Sequence, residues 1–122
     1  MHPALEQFLE EYQLWLNATK EKCKATQEKF VKIQKIISTN GPSEEILTNL
    51  YSISHSLFQT GYLLMESHTK INNLKANYSE EDQKLIDSYY KVANKTNSIV
   101  RNILSYKLSF EKSSETEDDL TI

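Results

Sequence analysis

The side chains in this sequence best suited to metal or acid–base chemistry are three histidines and one cysteine: His2, Cys23, His55 and His68. A helix presents a pair of metal ligands when they stand three or four residues apart, because those positions share one face. No two of the histidines have this spacing, and no glutamate stands three residues before a histidine. The sequence therefore predicts no metal site and no cofactor.

Cys23 has no histidine placed near it in sequence to form a catalytic pair, so we interpret it as a core side chain. It is the only cysteine and cannot form an internal disulfide. An unpaired cysteine is typical of proteins in a reducing compartment. We therefore expect a cytoplasmic or nuclear protein.

The segment around His55, residues 54–61, resembles the helix that carries the phosphorylated histidine in histidine phosphotransfer domains, which are helical bundles of similar length. The resemblance implies phosphoryl transfer at His55. In that family a lysine and a glycine follow the histidine by three and four residues, but here Phe58 and Gln59 occupy those places. Phosphotransfer is therefore an alternative, and an interface or structural histidine is the main interpretation. Our main hypothesis is a protein that is not an enzyme.

The wider sequence indicates a few long helices rather than short strands. Only two glycines and two prolines occur among 122 residues, and these are the residues that most often interrupt helices. The breaks fall at residues 38–43 and 77–82, where Ser43 and Ser79 are predicted N-caps followed by acidic residues. We predict an all-α fold, an elongated antiparallel three-helix bundle or coiled coil with short loops and helices at about 3–38, 44–76 and 80–111.

The end of the chain differs in composition from the three predicted helices. Residues 113–122 carry four acidic side chains, no basic ones and no helical period of apolar residues. Such a segment has too little apolar surface to pack on a core. We predict a domain over residues 1–112 and a disordered acidic tail over 113–122.

The second predicted helix has more apolar surface than one neighbouring helix can cover. One stripe recurs at steps of three and four, as in a coiled coil: Ile46, Leu50, Ile53, Leu57, Leu64, Ile71 and Leu74. A second stripe runs beside it, and tyrosine within it suits a surface that is wet before binding and apolar after it. From this stripe and a flanking stripe of the third helix, we predict the partner-binding residues Tyr51, Phe58, Tyr62, Met65 and Tyr90.

The first predicted helix contains the only tryptophan, Trp15, with Phe8 one heptad before it. Residues 5–16 resemble the first helix of a spectrin repeat, a family of antiparallel three-helix rods. The resemblance implies a spacer or docking platform in a cytoskeletal scaffold. A large aromatic side chain that fills the core of any helical bundle also explains Trp15.

Several partner classes are disfavoured by composition. No apolar run approaches the roughly 20 residues that span a bilayer, so we do not expect an integral membrane protein. The lysines of residues 20–35 point in several directions around a helix, which disfavours nucleic acid. We predict a non-catalytic helical interaction or scaffold module, free or as a subunit of a larger coiled-coil assembly. Its expected partner is a helical protein or another copy of itself, not a small-molecule substrate; a peripheral membrane-binding bundle is a further alternative.

Overall fold

The computed structural model describes the backbone of residues 3–120 and the side chains of residues 4–111. Three helices make up this part of the chain, α1 (Pro3–Asn40), α2 (Glu44–Asn73) and α3 (Glu80–Leu120), and it contains no strand. At 1.5 Å per residue, α1 alone is about 57 Å long. The prediction of an all-α, elongated three-helix bundle is confirmed.

Contacts between helices show that α1 and α3 run in the same direction and that α2 returns between them. The Tyr12 hydroxyl donates a hydrogen bond to the Leu85 carbonyl oxygen at 2.8 Å, and the Cys23 Sγ lies 3.3 Å from the Thr96 Oγ1. Both contacts join residues 73 positions apart, as two parallel helices in constant register require. The short connections at 41–43 and 74–79 make α2 antiparallel to both.

The turn between α1 and α2 follows the predicted chemistry. Gly41 adopts a left-handed conformation with φ of 78°, and its N–H donates to the Ile37 carbonyl oxygen at 2.8 Å, which closes α1. The Ser43 hydroxyl accepts a hydrogen bond from the Ile46 N–H at 3.2 Å. The Ser79 hydroxyl caps α3 in the same way by accepting from the Asp82 N–H at 3.1 Å. Both predicted N-caps are confirmed.

Helix α2 ends at Asn73, before the boundary near 76 that the sequence suggested. Lys75 has a positive φ of 49°, which takes the backbone out of the helix. The Tyr78 hydroxyl donates to the Ile71 carbonyl oxygen at 2.7 Å and so satisfies a carbonyl of the last turn. A side chain from the following loop therefore helps to end α2.

Helix α3 continues to Leu120, past the expected boundary at 111. No glycine or proline occurs after Pro42 and Gly61 to interrupt it. The side chains of 112–120 and residues 121–122 lie outside the described residues. The acidic tail over 113–122 stays a prediction.

The core is built on one face of α2. Leu50, Leu57, Leu64 and Ile71 stand seven residues apart and are each at most 1 % exposed. They divide between two clusters, one at each end of the bundle. The first also contains Leu5, Leu9, Tyr12, Leu16, Ile86 and Val92, and the second Cys23, Ile37, Ile99 and Ile103.

Small residues join the two clusters at the middle of the bundle. Thr19, Cys23 and Thr96 are buried there. A Cβ atom built on Gly61 would lie 3.0 Å from the Thr96 Cγ2, so glycine lets α2 and α3 approach closely. The close approach brings the side chains that flank Gly61 beside those of α3.

Candidate interaction surface

Four large apolar side chains of α2 are about half exposed, and three of them border α3. Tyr51, Phe58, Tyr62 and Met65 are between 41 % and 52 % exposed. We call this set the α2 face. It contains four of the five residues of the second stripe predicted from the sequence, and α1 and α3 leave these four about half uncovered. The fifth, Leu47, packs against the second core cluster.

Helical geometry explains why this face is left open. Tyr51 and Phe58 each directly follow a buried leucine, Leu50 and Leu57. Successive residues of a helix point about 100° apart because a full turn takes 3.6 residues. When the leucines are directed into the core, the residues that follow them are directed away from it.

A groove runs between the α2 face and α3. Phe58, Tyr62 and Met65 form one wall, and Ala93 and Asn97 of α3 belong to the other. The groove encloses about 280 Å³. Its walls are mostly apolar, so it can accept the side chains of another helix.

A second, shallow depression lies on the outer side of α2. It is lined by His55, Gln59 and Leu63 together with Phe58 and Tyr62, which also line the groove. Phe58 and Tyr62 therefore form a ridge with a concavity on either side. A ridge between two concavities is the surface that helices use to interlock.

Helix α2 has no charged side chain across the whole of this surface. Residues 46–65 contain no Asp, Glu, Lys or Arg. Covering a charged side chain carries a desolvation penalty, and the centres of protein interfaces are depleted of charge and enriched in Tyr, Phe and Met. Packing against this surface would bury none of the charges of α2.

Tyr90, the fifth predicted partner-binding residue, lies on α3 and is 57 % exposed. Its ring meets the rings of His68 and Tyr89 edge-on, with centroids 5.4 Å from each. His68 stands one helical turn after Met65, so Tyr90 lies towards the same end of the bundle as Met65. Five exposed leucines were not among the predicted partner-binding residues: Leu14, Leu63, Leu74, Leu104 and Leu108.

His68 lies beneath this end, in a cage of tyrosine rings, and is only 5 % exposed. Its ring stacks on Tyr89 with centroids 4.0 Å apart, and Tyr12 from α1 lies at 5.9 Å. The Asn72 Nδ2 donates to the His68 Nδ1 at 3.4 Å. The Nε2 atom is buried and has no hydrogen-bond partner among the described residues.

This environment favours the neutral imidazole. Burial lowers the pKa of His68 below its ordinary value. The Ile86 carbonyl oxygen and the Asp87 carboxylate raise that pKa again, but by less. With Asn72 donating to Nδ1, the neutral ring carries its proton on Nε2.

We expect the free energy of unfolding to fall as the pH is lowered from about 7 towards 5.5. The unfolded chain protonates His68 below about 6.5, whereas the folded chain protonates it only at lower pH. Between the two pKa values the unfolded state holds one more proton than the folded state. The contribution of neutral His68 to the free energy of unfolding is therefore fully present above about pH 6.5 and is lost on acidification.

Urea unfolding at several pH values measures this dependence. One proton accounts for a slope of at most about 1.4 kcal/mol per pH unit. His68→Gln should flatten the slope, and the matched control His55→Gln should keep it, because His55 is exposed. Equal slopes in all three proteins would contradict the expectation.

The remaining sequence candidates lie elsewhere. His55 is exposed and stacks on Tyr51 with a centroid distance of 5.6 Å, and phosphotransfer at His55 stays a prediction.

Cys23 is buried in the second core cluster, which confirms its interpretation as a core side chain. Trp15 packs against the first cluster as a partly buried aromatic, and its spectrin-repeat resemblance stays a prediction. Within the described residues, no group of three or more His, Cys, Asp or Glu side chains is arranged to hold a metal ion.

Comparisons with protein-family models, curated proteins and solved structures find no significant match. None of the helices, as far as they are described, is long and apolar enough to cross a membrane.

Proposed function

We propose that the protein is a non-catalytic helical interaction or scaffold module that docks another helical protein, or a second copy of itself, on the α2 face. One observation carries the proposal. The exposed side of α2 presents Tyr51, Phe58, Tyr62 and Met65 on a stretch of 20 residues, 46–65, without a formal charge.

The α2 face exposes enough apolar surface to serve as an interaction site. A large aromatic side chain buries about 150–250 Å² when fully covered. Four large apolar side chains, each roughly half exposed, therefore leave on the order of 300 Å² of apolar surface. An apolar patch of this size on a soluble domain is often an interaction site.

The shape of the surface favours a helix as the partner. Tyr51, Phe58, Tyr62 and Met65 are separated by seven, four and three residues, the steps at which a helix meets another helix. The ridge of Phe58 and Tyr62 fits between two turns of a facing helix, and the groove beside it accepts a side chain in return. The same packing would join the chain to a larger coiled-coil assembly.

We place this activity in the cytoplasm or nucleus. The support is the single cysteine, which is buried and unpaired.

Photo-crosslinking in cells that express the chain tests the proposal. p-Benzoylphenylalanine placed at Tyr62 should form covalent adducts with a protein, because a docked helix would lie within reach of the ring. The matched control carries the same group at Leu14, a somewhat more exposed position on α1 outside the α2 face. We expect adducts at position 62 to exceed those at position 14 several-fold. Equal yields at the two positions would contradict the proposal.

A further inference from the structure

We propose that the groove between α1 and α2 binds an acidic segment of another protein. We call it the lysine groove; it is lined, among others, by Lys22, Lys29 and Lys32 of α1 and by Asn49, Ser52 and Ser56 of α2. It shares no lining residue with the α2 face, so this binding is separate from docking there. Three observations carry the proposal: the gathering of the lysines, the lack of acidic side chains among the lining residues, and polar side chains without hydrogen-bond partners.

The lysines of α1 gather along one groove. Two concavities of about 310 and 210 Å³ adjoin there, because both are lined by Lys29, Ser52 and Ile53. Lys32 lies at the larger concavity and Lys22 at the smaller one. At 1.5 Å per residue, the lysines span about 15 Å of α1. Three of the six lysines of α1 therefore line a single surface.

No acidic side chain lines the lysine groove. Glu21 and Glu28 each precede a groove lysine by one residue, but one residue turns a helix by about 100°, so neither lines the groove. Within the part of the chain whose side chains are described, the three groove lysines form no ion pair. Their positive charges are therefore available to a ligand.

The opposite wall of the groove carries no charge. It belongs to residues 46–65 of α2, which contain no Asp, Glu, Lys or Arg and which we call the neutral stretch. Glu45 stands one helical turn before Asn49, the first lining residue of α2. An anion in the groove would therefore meet lysines on one side and uncharged polar groups on the other.

Several of these polar groups lack a partner within the described residues. The side chains of Asn49, Ser52 and Ser56 form no hydrogen bond there, whereas the Ser54 hydroxyl donates to the Tyr51 carbonyl oxygen.

Thr26 is the buried member of this set. It is only 2 % exposed and lines the smaller concavity, and its hydroxyl also has no hydrogen-bond partner among the described residues. A buried hydroxyl without a partner costs stability. Carboxylate oxygens accept hydrogen bonds from hydroxyl, amide and ammonium groups alike, so a carboxylate ligand would satisfy it and the lysines together.

The floor of the groove favours a peptide over a phosphate ion or a nucleic acid. Ile33 and Ile53 line the groove and are partly buried, so a ligand that covers them needs an apolar group. A phosphate ion has none. Single-stranded nucleic acid is bound by stacking its bases on aromatic side chains, and no aromatic side chain lines the groove. An acidic segment with an aliphatic residue between its carboxylates matches both the lysines and the floor.

Fluorescence anisotropy on the full chain tests the proposal. The probe is a short fluorescein-labelled peptide in which glutamates flank a central leucine, and its control has glutamine in place of every glutamate. We expect the glutamate peptide to bind at least about ten times more tightly at low ionic strength. The difference should shrink as salt is added, because salt screens charges at a surface.

The triple variant Lys22→Gln/Lys29→Gln/Lys32→Gln should weaken binding of the glutamate peptide at least about fivefold, because several modest ion pairs are lost together. Ser52→Glu keeps the lysines and adds a carboxylate to the α2 wall, so it should also weaken binding. Ser98→Glu is its matched control, because it adds the same charge at an exposed serine of α3.

The control for the triple variant is Lys20→Gln/Lys24→Gln/Lys35→Gln. It removes the same charge from α1 at exposed positions that do not line the groove. It should weaken binding by less than about twofold, since these charges are screened by solvent. All six lysines are at least partly exposed, so circular dichroism should show unchanged helicity in both triple variants.

Three results would overturn the proposal. Equal affinity for the two peptides would show that carboxylates are not recognised. Equal losses in the two triple variants would show that the peptide responds to the overall charge of α1 and not to the groove. Tighter binding of a labelled single-stranded RNA than of the glutamate peptide, lost in the groove variant, would show that the lysine groove binds nucleic acid instead.

Discussion

Leu57→Ala should lower the free energy of unfolding by about 2–5 kcal/mol, whereas Phe58→Ala should lower it by less than about 1 kcal/mol. The two residues are neighbours on α2, yet Leu57 is fully buried and Phe58 is half exposed. Removing the Leu57 side chain leaves a cavity that the packed core can fill only in part. Removing the Phe58 ring creates no cavity.

Urea unfolding at submicromolar protein concentration measures both values without a contribution from association. The melting temperature should fall by at least about 8 °C for Leu57→Ala, since 1 kcal/mol corresponds to several degrees in a domain of this size. At high concentration, Phe58→Ala should also lose any stabilisation that comes from docking, because a partner that binds only the folded state raises stability. Similar losses for the two variants in dilute solution would show that Phe58 is packed in the folded monomer.

The contrast between Leu57 and Phe58 could be predicted from sequence. Both stripes of α2 follow the helical period. Within one helix the angle between two stripes around the helix axis is fixed, whatever the helix packs against. The turns were also predictable, because Gly41, Ser43 and Ser79 satisfy backbone groups close to them in sequence.

The cage around His68 could not be predicted in the same way. It brings together Tyr12 of α1 and Tyr89 and Tyr90 of α3, residues far apart in the chain. Their meeting depends on the register between helices, which is set by the whole core. The sequence excludes His68 from a helical metal pair, and nothing beside it indicates that it is buried.

The end of α2 depends on features that the apolar pattern does not contain. The stripe of apolar residues runs on to Leu74, which placed the expected boundary near 76. The Tyr78 hydroxyl and the positive φ of Lys75 end the helix earlier, and neither is part of the helical pattern.

The absence of charge from residues 46–65 can be read from the sequence, but the sequence does not show whether this stretch is buried or exposed. A run without charge can be a fully buried helix or a helix with one face reserved for a partner. Only the exposure of Tyr51, Phe58, Tyr62 and Met65 distinguishes these cases.

Phe58→Glu should weaken docking on the α2 face at least about 100-fold, because covering an unpaired carboxylate costs several kcal/mol. The substitution places a charge in the middle of the neutral stretch. It should leave the monomer folded, since Phe58 is exposed. Leu14→Glu is the matched control, because it adds the same charge at an exposed leucine outside the α2 face.

The rate of Met65 oxidation inside cells tests the central claim most directly. Met65 is the only methionine besides Met1, and it lies on the α2 face with its side chain open to oxidants in the monomer. If the face is covered by a helical partner, Met65 should oxidise at least about five times more slowly in the unmodified chain and in Leu14→Glu than in Phe58→Glu. Equal rates in all three chains would show that nothing docks on the α2 face.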